Sequence, residues 1–116
     1  MLVPVDHNPN PRPAVEFARR VAEVIGDVVV PITLLHVGDQ DDGPHLDVSD
    51  GDRWAFEGLH RSGDPVEQIL DVATHTAANL IVMSTSGHHG VFDALRGGTT
   101  EHVLRQARCP VLAVPV

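Results

Sequence analysis

Asn79–Val116 reads NLIVMSTSGHHGVFDALRGGTTEHVLRQARCPVLAVPV. An apolar strand, Leu80 to Ser84, runs into a glycine-bearing loop. A second glycine pair, Gly97-Gly98, stands at the mouth of a short helix that begins near Thr99. Strand, glycine loop and helix N-terminus are the parts of an anion site. Backbone N–H groups point out of the loop and the first helical turn, where the helix dipole favours negative charge. Glycines let the backbone approach a phosphate without a Cβ in the way. The pattern continues as a helix from Thr99 to Ala107, with Val103, Leu104 and Ala107 inward, and a final strand from Val111 to Val114. A further helical turn is expected at Val91 to Leu95.

Outward from this stretch, strands and helices alternate. Leu2 to Val5 is a short apolar strand ending at Asp6, followed by an Asn- and Pro-rich turn over His7 to Pro13. Pro11 and Pro13 suit a first helical turn, where the missing N–H is not needed. Ala14, Phe17, Ala18, Val21 and Ile25 recur at helical spacing, and Gly26 is placed to end that helix. Ile32 to Val37 reads as the second strand, with Pro31 at its start because proline cannot serve a central ladder. Arg53 to His60 reads as the third strand. Pro65 to Ala78 reads as a helix, with Asp64 as N-cap, Glu67 three residues on, and Val66, Ile69, Leu70, Ala73 and Ala77 on one face. The near-continuous apolar strands predict a parallel sheet buried on both faces, in a single α/β domain over 1–116.

Composition narrows the function. The chain has 116 residues, 42% of them hydrophobic, enough for a core. Its N-terminus lacks a charged start followed by an apolar stretch, no apolar run reaches membrane-spanning length, and Cys109 is the only cysteine. A cytoplasmic location without membrane association is the expectation. Acidic residues number 16 against 8 arginines, with no lysine, for a net charge of −8. That charge argues against nucleic acid as a partner. The acidity fits either a saline cytoplasm or codon bias toward arginine, and the second is preferred.

The C-terminal pattern resembles the universal stress protein family. Nucleotide-binding members carry Gly, two residues, Gly, nine residues, then Gly-Ser or Gly-Thr. Those positions fall on Ser84, Gly87, Gly97 and Gly98. The spacing is kept, but Ser84 replaces the first glycine and Gly98 replaces the hydroxyl residue. LVPVD at Leu2–Asp6, LLHV at Leu34–Val37, GDP at Gly63–Pro65 and CPVLAV at Cys109–Val114 extend the resemblance over nearly the whole chain. It implies a doubly wound, three-layer α/β/α fold on a five-stranded sheet of order 3-2-1-4-5. Strands one and four then lie side by side, and a crevice opens at their carboxyl ends. The helix that relatives carry between strands two and three is shortened or missing. Gly38 to Asp52 has six Asp, three Gly and one Pro and reads as loop. One sheet face there needs cover from a dimer partner or from this loop.

The resemblance implies an adenine nucleotide, ATP or AMP, with Mg²⁺ accompanying it. Pro4, Val5 and Asp6 would line the site from strand one, Val37 from strand two, and Met83 and Ser84 from strand four. Gly87, His88, Gly97, Gly98, Thr99 and Thr100 would complete it. Asp6 can bond a ribose hydroxyl or open the Asn-Pro turn. Val37 can meet adenine through its backbone or simply pack. Ser84 can crowd the site or point its hydroxyl at the loop. Gly98 lacks a hydroxyl that would contribute about 1.5–3 kcal/mol to a charged oxygen, and Thr99 or Thr100 can partly compensate or cap the helix. Arg96 can pair with phosphate or with Asp93. His88-His89 lacks the spaced partners of a metal site, His36 reads as a core histidine, and Cys109 as packing.

No nucleophile elbow or P-loop lysine is present, so slow nucleotide hydrolysis is the most the chain would catalyse. The leading expectation is a stress-response sensor or regulator. The alternative is a dimeric interaction module with no nucleotide, meeting an unidentified protein partner. The resemblance implies a homodimer through the C-terminal strand, residues 111–115, whose apolar edge needs cover.

Overall fold

The computed structural model describes residues 1–7, 9–25, 28–39, 43–85 and 98–116. Among the described residues eight elements follow one another: β1 (Leu2–Pro4), α1 (Arg12–Val24), β2 (Val30–Val37), β3 (Trp54–Arg61), α2 (Pro65–His75), β4 (Ile81–Thr85), α3 (Thr99–Gln106) and β5 (Val111–Pro115). The five strands form one parallel sheet of order β3-β2-β1-β4-β5, as expected. The Gly26 cap and the turn at 91–95 lie outside the described residues. No described helix is long and apolar enough to cross a membrane.

Both faces of the sheet are buried, which is why its strands carry apolar side chains on successive positions rather than alternate ones. Val3, Ile32, Leu34 and Val82 meet Ala14, Val15, Ala18 and Ala22 of α1 on one face. Leu2, Leu35, Ile81 and Met83 meet Ile69 and Val72 of α2 and Val103 of α3 on the other. Each fully buried aliphatic side chain contributes about 1.5–3 kcal/mol.

The inward stripe of α1 differs from the expected one. Ala14, Val15, Ala18 and Ala22 are buried, whereas Phe17 and Ile25 are 40% and 51% exposed. Small side chains bring the helix close to the sheet, and Phe17 falls on its outer flank. Leu104, expected inward, is 39% exposed, because Val103 takes the inward position of α3. Val72 is fully buried on α2, while Ala77 lies past that helix's end. Pro31 stands inside β2 rather than at its start. Its position is tolerated because β1 pairs with β2 only from Thr33 onward, so no strand residue calls for an N–H at Pro31, whose carbonyl accepts from the Met1 ammonium at 2.8 Å.

The segment between β2 and β3 carries no helix among its described residues. It shields the sheet itself. Leu46 and Val48 pack on the α1-side core beside Trp54 and Phe56. It also covers the outer edge of β3, where backbone groups would otherwise be unpaired. The Phe56 N–H donates to Asp50 Oδ1 at 2.7 Å, and the Gly51 N–H donates to the Trp54 carbonyl at 3.0 Å. A Cβ at Gly51 would stand 2.3 Å from the Trp54 ring, so this close approach requires glycine. Of the two expected sources of cover, the acidic loop provides it.

At the start of α2 the Asp64 carboxylate accepts the Glu67 N–H at 3.0 Å, as the capping pattern predicts. At its end the Ala78 N–H donates to the Ala73 carbonyl and the Ala77 N–H to Thr74, which closes a Schellman-type cap. Ala77 holds φ +50°, a left-handed conformation that costs a residue with a Cβ about 1–2 kcal/mol.

Two outcomes follow for stability. Ala77→Gly raises the unfolding free energy by about 0.5–1 kcal/mol, the relief of the Cβ penalty less the extra chain entropy of glycine; an unchanged or lower urea midpoint would count against the cap. Leu46→Ser combined with Val48→Ser lowers stability by about 2–4 kcal/mol because their apolar area returns to water. A loss below about 0.5 kcal/mol would mean that the loop covers nothing.

Candidate functional site

Parallel strands bring their carboxyl ends to one edge of the sheet, and β1 and β4 are neighbours at its centre, with Leu2 opposite Ile81. From this edge the chain leaves β1 for α1 on one face, and α2 and α3 lie on the other. The helix that follows β1 and the helix that follows β4 thus lie on opposite faces, with a crevice between them at this edge. A cavity of about 140 Å³ opens there. Eight of the twelve expected positions line it: Pro4, Val5, Asp6, Val37, Met83, Ser84, Thr99 and Thr100. Gly98 is described but does not line the cavity; it is the N-cap of α3. Gly87, His88 and Gly97 lie outside the described residues, as do His89, Asp93 and Arg96.

Five further lining residues escape the motif: Pro9, Pro11, Leu35, Pro65 and Ile69. Strand alternation would have found Leu35, which shares a face with Val37. The parallel order would have found Pro65, since α2 begins at the carboxyl edge and Ile69 follows one turn later. Leu35, Val37, Pro65, Ile69 and Met83 give the cavity an apolar wall, and Asp6, Ser84, Thr99 and Thr100 supply its polar groups. This mixture suits a flat heterocycle with a polar substituent better than a wholly polar or wholly apolar ligand.

Asp6 is exposed, and its Oδ1 accepts the His7 N–H at 2.8 Å. A carboxylate has two oxygens, so this turn-opening bond and a contact to a ligand hydroxyl are compatible. Ser84 and Thr85 are 8% and 2% exposed, and neither hydroxyl has a hydrogen-bond partner among the described residues. Thr100 is also buried. The α3 N-cap, Gly98, is extended (φ −92°, ψ 173°) and provides no side-chain cap. The first N–H groups of any α-helix lack an intrahelical acceptor. Those of α3 start at Thr99 and Thr100, on the cavity wall.

The β2 exit is fixed from behind. The ring nitrogens of His36 lie 3.3 Å from the Val5 carbonyl and 3.1 Å from that of Asp39. His60 Nε2 contacts the Gly38 carbonyl. His36 is hydrogen-bonded, as expected, but it is half-buried at the margin of the core and borders a surface groove rather than lying inside the core. Gly38 has φ +144°, a conformation that favours glycine, and a Cβ there would press on His36 at 3.3 Å. These contacts hold Val5 and Val37 where they line the cavity. Cys109 packs against the α2- and α3-side core, in keeping with its reading as a packing residue. Wider surface grooves exist, such as one of about 590 Å³ between the ends of α2 and α3.

Comparison with known proteins agrees with this geometry. Residues 55–115 match the model of the universal stress protein family, a span that includes β3 through β5. A universal stress protein of Methanocaldococcus jannaschii is 42% identical over 52 residues, 45% of this chain and 31% of its own length. Universal stress protein E of Escherichia coli is 38% identical over 52 residues, again 45% of this chain but 16% of its own length. The matched region thus spans less than a third of either relative. Among solved structures, the universal stress protein UspA of Lactobacillus plantarum superposes with a TM-score of 0.71 at 23% identity, covering 97% of this chain and 94% of its own. An Arabidopsis thaliana universal stress protein family structure with AMP bound gives a TM-score of 0.59 at 19% identity over 99% of this chain and 91% of its own. A universal stress protein in complex with cAMP gives 0.65 at 16% identity over 99% of this chain and 96% of its own. Each of these structures shares the fold described above. With the family match extending over more than half of its length, the chain belongs to the universal stress protein family.

Proposed function

We propose that this protein binds an adenine nucleotide in the cavity at the β1–β4 switch point and acts as a cytoplasmic sensor or regulator in a stress response. The observation that carries the reading is the convergence of Asp6, Val37, Ser84, Thr99 and Thr100 from four separated segments on one partly apolar cavity. In this reading the base lies against Val37, Met83 and Ile69. The Asp6 carboxylate accepts a ribose hydroxyl. The first amides of α3 receive a phosphate oxygen, as helix N-termini do. Mg²⁺ would accompany a nucleotide with more than one phosphate. Support also comes from two proteins of the same fold whose structures were solved with AMP and with cAMP. Binding would act by changing the surface offered to a partner at the β4 end and the start of α3.

A second reading rests on a different observation. β5 pairs with β4 alone, and its Val111–Val114 side chains are only partly buried. Such an edge is completed by another strand. A homodimer through residues 111–115 would provide one, with or without nucleotide.

Titration calorimetry with AMP tests the nucleotide reading. Saturable heat is expected, and at a hundredfold excess over Kd the domain gains about 2.7 kcal/mol of stability. Val37→Trp, which fills the cavity, removes both effects. No heat and no rise in melting temperature with millimolar AMP, ATP or adenosine would end the nucleotide reading. For the edge, sedimentation equilibrium is expected to give twice the monomer mass, and a monomer at all accessible concentrations would contradict it.

A further inference from the structure

From the charges around the cavity we infer that the site selects a ligand with few negative charges, a nucleoside or a nucleoside monophosphate, and disfavours a metal-free triphosphate. The inference rests on the nucleotide reading and narrows it. The only charged residue lining the cavity among those described is acidic, Asp6. Topology adds more carboxylates at the same edge. Asp39 lies just past the end of β2 and Asp64 just past the end of β3, and both are exposed.

Compensating cations are scarce. The chain has no lysine and eight arginines in total, with a net charge of −8. Seven of the arginines are described, and none of them lines the cavity. Arg61, at the carboxyl end of β3, faces the Asp71 carboxylate at 3.9 Å. Arg12, at the start of α1, borders a different groove with Glu16 and Asp47. Arg19 and Arg105 are paired with Glu16, Glu23 and Glu101 of their own helices.

The described anion-stabilising element is therefore the uncapped N-terminus of α3, a partial positive charge that fits one phosphate. A phosphomonoester such as AMP brings about two negative charges. ATP brings roughly twice as many into an acidic surround, with no described side-chain cation to offset them. Repulsion of this kind is screened by salt and by a bound divalent cation. A size limit would respond to neither.

The test measures adenosine, AMP and ATP binding to the full chain at low salt, with and without Mg²⁺, and again at high salt. AMP is expected to bind at least about tenfold more tightly than metal-free ATP at low salt. Adenosine should retain affinity, and the gap between AMP and ATP should narrow with Mg²⁺ or salt. Asp6→Asn weakens all three through the lost ribose contact but raises the ATP-to-AMP affinity ratio, by roughly threefold. Metal-free ATP binding as tightly as AMP at low salt would overturn the inference. So would a preference for AMP that salt, Mg²⁺ and Asp6→Asn leave unchanged, since that would be steric. If none of the three ligands binds, the nucleotide reading itself has failed, a result distinct from either of these.

Discussion

The structure depends on the pairing of two short strands at the centre of the sheet. β1 has three residues and meets β4 through one registered pair, Leu2 with Ile81, with the Leu2 N–H donating to the Leu80 carbonyl at 2.9 Å. On its other side β1 is bound to β2 over all three residues. This arrangement joins two halves of the sheet that are distant in sequence. It also sets the end of β1 beside the end of β4, with α1 packed on one face and α3 on the other. Asp6 and Ser84 share a cavity wall because of that adjacency. Contacts of this sequence separation form late and slowly, so the site depends on a completed core rather than on local structure.

The two apolar layers hold the centre in place. Leu2, Val3, Ile81 and Val82 are all fully buried, two facing α1 and two facing α2 and α3. Truncating any one of them would leave a void between a strand and a helix, at about 2–5 kcal/mol for the larger side chains. The rim of the cavity is built differently. It consists of strand ends, prolines and a helix start, with Asp6, Ser84, Thr99 and Thr100 as its polar groups. A rigid centre with a polar rim is how α/β sheets commonly position ligands.

Much of this was legible in the chain. The strand order came from the resemblance of the glycine pattern, and the element types came from apolar runs separated by helical periodicity. Asp64 announced its own cap, and the lack of a helix among the described residues between β2 and β3 was evident from the run of Asp and Gly there. Finer details were not legible, for physical reasons. In the stripe of α1, Ala14, Ala18 and Val21 face the core as expected, but Phe17 and Ile25 looked like anchors, whereas close helix–sheet packing selects alanine. Leu104 and Val103 are adjacent apolar residues, and periodicity alone could not say which faces the sheet. The proline and leucine walls of the cavity carry no motif, since they supply shape rather than chemistry. Ala77 in a left-handed turn gives no signal at all, because the sequence offers no glycine there.

The central claim is that the β1 end, the β2 end, the β4 end and the α3 start form one nucleotide pocket. Backbone amide shift mapping of the ¹⁵N-labelled protein titrated with AMP tests it most directly. The account predicts saturable shifts concentrated at Val5–His7, Val37–Gly38, Ser84–Thr85 and Gly98–Glu101. Shifts confined to the groove around Cys109 or to β5, or no shifts at saturating AMP, would contradict it.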